Sequence, residues 1–116
     1  MSSGIGSFWA PATDLYESPQ AFYLYVDLPG VSLEDVEVEV EPSGIRLRGR
    51  RGSLETGRAA ERLEIRTGTF ERELELPEKI DTSAVSAVLK DGVLRMVLPK
   101  LQARAVSVPI DRGKGS

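Results

Sequence analysis

Val36-Glu37-Val38-Glu39-Val40-Glu41, then Pro42-Ser43-Gly44, then Ile45-Arg46-Leu47-Arg48-Gly49-Arg50: the reading of this stretch decides the fold. On both sides of the Pro-Ser-Gly break an apolar side chain returns at every second position. Period two is the pattern of a strand with one buried face. Proline second and glycine fourth in Glu41-Pro42-Ser43-Gly44 suit a type I turn. Closing the chain there sets Val40 opposite Ile45 and Val38 opposite Leu47. The same register brings Glu39 to Arg46, Glu37 to Arg48 and Asp35 to Arg50. Each opposite-charge pair across a sheet contributes roughly 0.2–1 kcal/mol. A slip of one residue would set valines against arginines, so the pattern specifies one register.

The alternation continues outward from this hairpin. On the N-terminal side Phe22, Leu24, Val26 and Leu28 alternate with Tyr23, Tyr25 and Asp27, until Pro29-Gly30 ends the run. On the C-terminal side Phe70, Leu74 and Leu76 share a face opposite Thr69, Glu71, Glu73 and Glu75, and Pro77 stops the strand. A second hairpin, Val85 to Leu98, closes on Asp91-Gly92, a strong two-residue turn signal. It pairs Leu89 with Leu94, Ala87 with Met96 and Val85 with Leu98. No segment keeps a helical period. The expectation is an all-β chain whose one-faced sheets cover each other as a sandwich.

Gly52 to Ala60 is polar and patternless, a loop. A short strand is expected next over Glu61, Arg62, Leu63, Glu64, Ile65 and Arg66, with Leu63 and Ile65 on one face. The expected organisation is an arm over 1–11, one domain over 12–100 and a tail over 101–116. The tail is polar apart from the string Val106, Val108 and Ile110.

The 116 residues suffice for a single two-layer core, and the 41% hydrophobic and 28% charged content is ordinary for a globular domain. No apolar run approaches the length of a membrane span, and the first residues lack the basic start and apolar stretch of a secretory signal. The chain has no cysteine and no histidine. Disulfides, thiolate metal sites, histidine-zinc sites and histidine-dependent triads are therefore excluded. The lack of cysteine fits a reducing cytoplasm, the expected location. A net charge of −3 gives no overall attraction to nucleic acid or anionic lipid.

Three chemical readings compete with a plain surface. Arg48-Gly49-Arg50-Arg51-Gly52 resembles an arginine-glycine patch for nucleic acid, but the register above sets it against the glutamates of the preceding strand. The exposed faces of Glu37, Glu39, Glu71, Glu73 and Glu75 could supply paired acids for glycoside hydrolysis, yet they lack apolar neighbours to separate their pKa values. No phosphate-binding loop of the Gly-x4-Gly-Lys-Ser/Thr type is present, so ATP use is not expected. No cofactor and no metal are expected. Arg72 stands at an apolar position between Phe70 and Leu74; if buried, it needs a carboxylate or carbonyl partners, and otherwise it tilts out to solvent.

Asp14-Leu15-Tyr16-Glu17, Val26-Asp27-Leu28-Pro29-Gly30-Val31, Leu47-Arg48-Gly49-Arg50-Arg51, Glu64-Ile65-Arg66-Thr67-Gly68-Thr69-Phe70-Glu71-Arg72 and Ala87-Val88-Leu89-Lys90-Asp91-Gly92-Val93-Leu94 follow one another in order. With Leu76-Pro77 and Leu98-Pro99-Lys100 they resemble the α-crystallin domain of small heat-shock proteins over about residues 12–100. The resemblance implies an immunoglobulin-like β-sandwich that forms homodimers and higher oligomers. The spacing from Gly52 to Thr67 resembles the bacterial and plant branch, in which the strand inside this loop is exchanged between partners. That role falls on Glu61–Arg66, with Arg72 at the dimer interface. The resemblance also implies that an i, i+2 pair of branched residues in the tail docks in a neighbour's groove. Val106-Ser107-Val108 and Val108-Pro109-Ile110 both fit, the second better because Pro109 holds the chain extended. The groove would lie between the strand of Val36, Val38 and Val40 and the strand of Val85, Ala87 and Leu89. The family's long apolar arm is matched only by residues 1–11, with Ile5, Phe8 and Trp9. A smaller assembly and a weaker hold on clients are therefore expected. Phe8 and Trp9 either contact clients or pack on their own sandwich.

The function expected is ATP-independent holding of partly unfolded proteins, without enzymatic activity. Two other readings are an adaptor resembling the CS-domain co-chaperones and a carbohydrate-binding sandwich using Tyr23, Tyr25 and Trp9. An adaptor of that type lacks both the exchanged strand and the tail motif.

Overall fold

The computed structural model describes residues 8–102 and 107–113. Its strands are β1 (Thr13–Glu17), β2 (Ala21–Asp27), β3 (Val36–Glu41), β4 (Gly44–Arg51), β5 (Gly68–Glu75), β6 (Ser86–Lys90) and β7 (Val93–Pro99). Leu33–Asp35 and Thr82–Ala84 form single 3-10 turns, and the described residues contain no α-helix. One sheet has the order β1-β2-β7-β6 and the other β3-β4-β5. Every strand pair is antiparallel.

The β3–β4 hairpin has the expected register, with Val40 opposite Ile45, Val38 opposite Leu47, Glu39 opposite Arg46 and Glu37 opposite Arg48. Asp35 does not face Arg50. It belongs to the 3-10 turn, and the ladder ends with Val36 opposite Gly49. In the second hairpin Leu89 faces Leu94 and Ala87 faces Met96. Asp91 and Gly92 have φ values of 53° and 76°, the left-handed pair that a type I′ turn requires. Val85 precedes β6 as the cap of the second 3-10 turn, so its expected pairing with Leu98 is absent from the ladder.

A third hairpin, β1–β2, turns through Ser18-Pro19-Gln20. There the Ser18 hydroxyl accepts the backbone N–H of Gln20 (3.2 Å) and of Ala21 (3.1 Å), completing backbone groups that the ladder leaves open.

The two sheets bury the inner halves of their alternating strands against each other. Phe22, Leu24 and Val26 of β2 and Leu94, Met96 and Leu98 of β7 meet Ile45 and Leu47 of β4 and Phe70 of β5. Leu28, Leu76 and Ile80 close the ends of this core. Burying each such side chain contributes roughly 1.5–3 kcal/mol, which makes the sheet-to-sheet contact the main source of stability.

One expected element is missing. Glu61–Arg66 forms no strand; it runs unpaired along the exterior, with Leu63 83% and Ile65 60% exposed. Its alternation is real, but a strand needs a neighbour to satisfy its backbone, and no described part of this chain lies alongside to supply one.

The order of the strands fixes two open margins. Trp9 makes a parallel bridge to Phe70 of β5 and lies only a few residues before β1. Four residues span at most about 14 Å and packed sheets lie about 10 Å apart. The edges of β5 and β1 must therefore share one margin, leaving β3 and β6 to form the opposite one.

Candidate functional site at the sheet margins

At the β3/β6 margin both strands are edges. Val36, Val38 and Val40 of β3 alternate inward and are half-buried against the core, as are Val85 and Leu89 from the other sheet. Ala87 also sits on the inner row, opposite Met96, but is exposed. The margin is thus lined by small and branched apolar side chains, with unpaired backbone along each rim. In the tail, Val108 is exposed and Ile110 is 95% exposed, so the chain does not fold this segment onto its own core. Val106 lies outside the described residues.

At the opposite margin β1 is an edge strand of five residues. Leu15 faces inward, paired with Leu24, yet stays open on its outer flank. Arg72 is half-buried on the inner row of β5, opposite Leu47. Among the described residues it makes neither a side-chain hydrogen bond nor an ion pair. The carboxylate or carbonyl partner expected for it is therefore not supplied by these parts of its own chain.

The arm reaches this margin through Trp9. Its backbone N–H donates to the Thr69 carbonyl (3.3 Å), and its carbonyl accepts the Glu71 N–H (3.0 Å). Its ring lies 5.2 Å from that of Phe70, and its indole N–H points to the Gly68 carbonyl (3.4 Å). Phe8 is exposed, and Ile5 lies outside the described residues.

Arg51, grouped at first with the solvated arginines, is buried, with 8% of its surface accessible. Its Nε donates to the Arg66 carbonyl (2.8 Å) and its Nη1 to the Pro29 carbonyl (3.2 Å). The guanidinium carbon lies 4.5 Å from the centre of the Trp9 ring. The signal was in the alternation itself: Ile45, Leu47, Gly49 and Arg51 fall on one face of β4. An arginine at the end of an inner row is placed by that row, whatever its polarity.

The remaining charges form a surface comb. On the outer face of the three-stranded sheet Arg46 approaches Glu73 (3.3 Å), Glu39 (3.8 Å) and Glu71 (4.0 Å), and Arg48 approaches Glu71 (3.5 Å). The hydrogen bond to Glu73 is the main cause that raises the Arg46 pKa above its ordinary value. Such exposed pairs contribute little each and fix register more than stability. Of the glutamates that could supply paired acids, Glu39, Glu71 and Glu73 are members of this comb, and Glu37 and Glu75 are exposed at its flanks. Among the described residues no cluster of acidic side chains is arranged to hold a metal ion.

A sequence model of the Hsp20/alpha crystallin family matches residues 14–111. The chain belongs to the small heat-shock protein family. It is 36% identical over 91 residues to a probable 15 kDa heat shock protein of Leptospira interrogans, covering 78% of this chain and 70% of that one. It is 39% identical over 95 residues to a 17.3 kDa class II heat shock protein of Solanum peruvianum, covering 79% and 61%. A crystal structure of a small heat-shock protein from Xylella fastidiosa, described as having a distinct high-order structure, superposes with a TM-score of 0.72 at 32% identity. That match covers 95% of this chain and all of the other. Small heat-shock proteins are chaperones and not enzymes, and both bacterial and plant members stand among the relatives of this chain.

Proposed function

We propose that this small heat-shock protein is a holdase that binds partly unfolded proteins without ATP and keeps them from aggregating. The observation that carries the reading is the pair of open margins, with apolar side chains on their inner rows and with outer backbone along β1, β3 and β6 that no described strand pairs, Trp9 covering part of β5. Partly unfolded chains expose the same two features, apolar segments and strand edges, and those features drive their aggregation. Covering them by mass action lowers the aggregating population and requires no chemical step. Contacts made through backbone and apolar surface read little sequence, so the client range is broad.

The same margins serve self-assembly. Glu61–Arg66 adds to β1 of a partner subunit, and the partner's segment adds in return, giving a two-fold homodimer. The segment's exposure and its lack of a strand neighbour among the described residues support this. In the exchange Leu63 and Ile65 join Leu15 on the inner row, and Arg72 lies at the interface. Higher oligomers form when Val108-Pro109-Ile110, or the overlapping pair Val106 and Val108, docks in the β3/β6 groove of a neighbour. Tail docking then competes with clients for that groove, while Phe8 and Ile5 add apolar contact from the arm. We place this activity in the cytoplasm.

The test is suppression of aggregation of a heat-denatured client without nucleotide, beside a mass measurement by light scattering. The full chain should suppress at near-stoichiometric ratios and be at least dimeric. Deleting Val108–Ile110 should lower the mass and change suppression. A monomer without effect on the client would end the proposal, and an unchanged mass with unchanged suppression would remove the tail from it.

A further inference from the structure

Arg51 holds together three segments that are distant in sequence. Its aliphatic stem passes Gly30, where an added Cβ would stand 3.9 Å from its Cδ. Its fork donates to the Pro29 and Arg66 carbonyls, and its flat face lies over Trp9. Among the described residues no carboxylate pairs with this buried cation. Its charge is compensated by two carbonyl dipoles and one aromatic face, so each partner matters more than it would beside a counter-ion. Losing Trp9 would open the guanidinium to water and weaken its grip on both carbonyls.

We propose that Arg51 and Trp9 form a latch that couples the N-terminal arm to the base of the 52–67 loop, so that drawing Trp9 off β5 releases Arg66. The geometry gives the coupling its direction. Among the described residues no hydrogen bond, ion pair or ring contact joins Phe8 or Trp9 to 61–66; Arg51 is the shared neighbour. Among the described residues Trp9 is held by the two backbone hydrogen bonds of its bridge, one indole hydrogen bond and its ring contacts with Phe70 and Arg51, a small enough set to open without unfolding the core. On the reading that the arm meets clients and the loop meets a partner subunit, a client engaging Trp9 loosens the strand exchange. That consequence rests on the proposed function, whereas the latch itself does not.

Trypsin offers a direct readout, because the bond after Arg66 has as its carbonyl the group that accepts from Arg51 Nε. Cleavage there requires that carbonyl to leave the latch, while cleavage after Arg62 does not. In the full chain, Trp9→Leu and Arg51→Met should each raise the ratio of cutting after Arg66 to cutting after Arg62 by about tenfold. The double variant should raise it no further, since both changes open one latch. Trp9→Phe, which keeps an aromatic face, should stay near the wild-type ratio. Global unfolding would also speed cutting inside the strands, after Arg46, Arg48 and Arg95, so those cuts should stay at their wild-type rates while the ratio rises. An unchanged ratio in Trp9→Leu, or effects that multiply in the double variant, would overturn the coupling. Should Arg51→Met fail to fold, Trp9→Leu against Trp9→Phe decides alone, equal ratios in the two counting against the latch. Mass measured on the same wild-type sample separates the readings: a monomer with the expected ratios removes the strand exchange and keeps the latch.

Discussion

A Cβ on Gly49 would stand 2.3 Å from the Asp35 carbonyl oxygen and 2.4 Å from Cζ of Phe70. Neither obstacle can yield cheaply, since one is backbone and the other a ring in the centre of the core. Gly49→Ala should therefore destabilise by about 1–3 kcal/mol, seen as a lower denaturant midpoint with unchanged slope. An unchanged midpoint would mean that Phe70 has room to move. Gly49 was legible only as part of an arginine-glycine run, and the Phe70 ring that takes up the space over it comes from β5. A local pattern names the glycine but not the ring beside it. Arg51 shows the converse. Its position was legible in the alternation of β4, and its charge drew the reading toward solvent.

Among elements, the hairpins were the most legible. Their turns are local, and pairing apolar with apolar leaves a single register for β3–β4 and for β6–β7. What escaped were the ends, where Asp35 and Val85 enter 3-10 turns, and the segment Glu61–Arg66. That segment has a strand's alternation without a strand's neighbour. The groove between β3 and β6 was named in sequence by resemblance, whereas the strand order gives the physical reason that both are edges of one margin. Beyond the hairpins, the ends of elements are tied by Lys100, which follows β7. Its Nζ reaches Glu17 at the end of β1 (2.5 Å) and Glu78 before the second 3-10 turn (3.1 Å), over the ring of Phe22 at 5.0 Å. The hydrogen bond to Glu17, followed by that to Glu78, outweighs desolvation and raises the Lys100 pKa above its ordinary 10.5. A raised folded-state value stabilises the fold below the unfolded value, and the gain is lost as pH climbs through the folded one. The melting-temperature difference between wild type and Lys100→Met should therefore stay level from neutral pH to about 10, then shrink. A difference that shrinks toward acid pH within the neutral range would show that some other group controls it.

For the whole molecule, pairings such as β2 with β7 join segments far apart in the chain, and no local periodicity encodes them. The resemblance to a family supplied the sandwich and its groove strands in advance, while the pairing of β2 with β7 came from the structure. The sandwich leaves two rims uncapped, and one of them, β3, spells Val-Glu three times over. Fibrils grow when identical strands stack in register about 4.8 Å apart. Stacked copies of β3 would line up Glu37, Glu39 and Glu41 as three columns of like charge. An incoming strand of different sequence meets no such column. Replacing all three glutamates with glutamine, whose amides favour such stacking, should yield thioflavin-positive fibrils where the wild type stays dispersed. Equal dispersal of both would show that the glutamates are not the guard. The rim thus admits a stranger's strand and turns away its own.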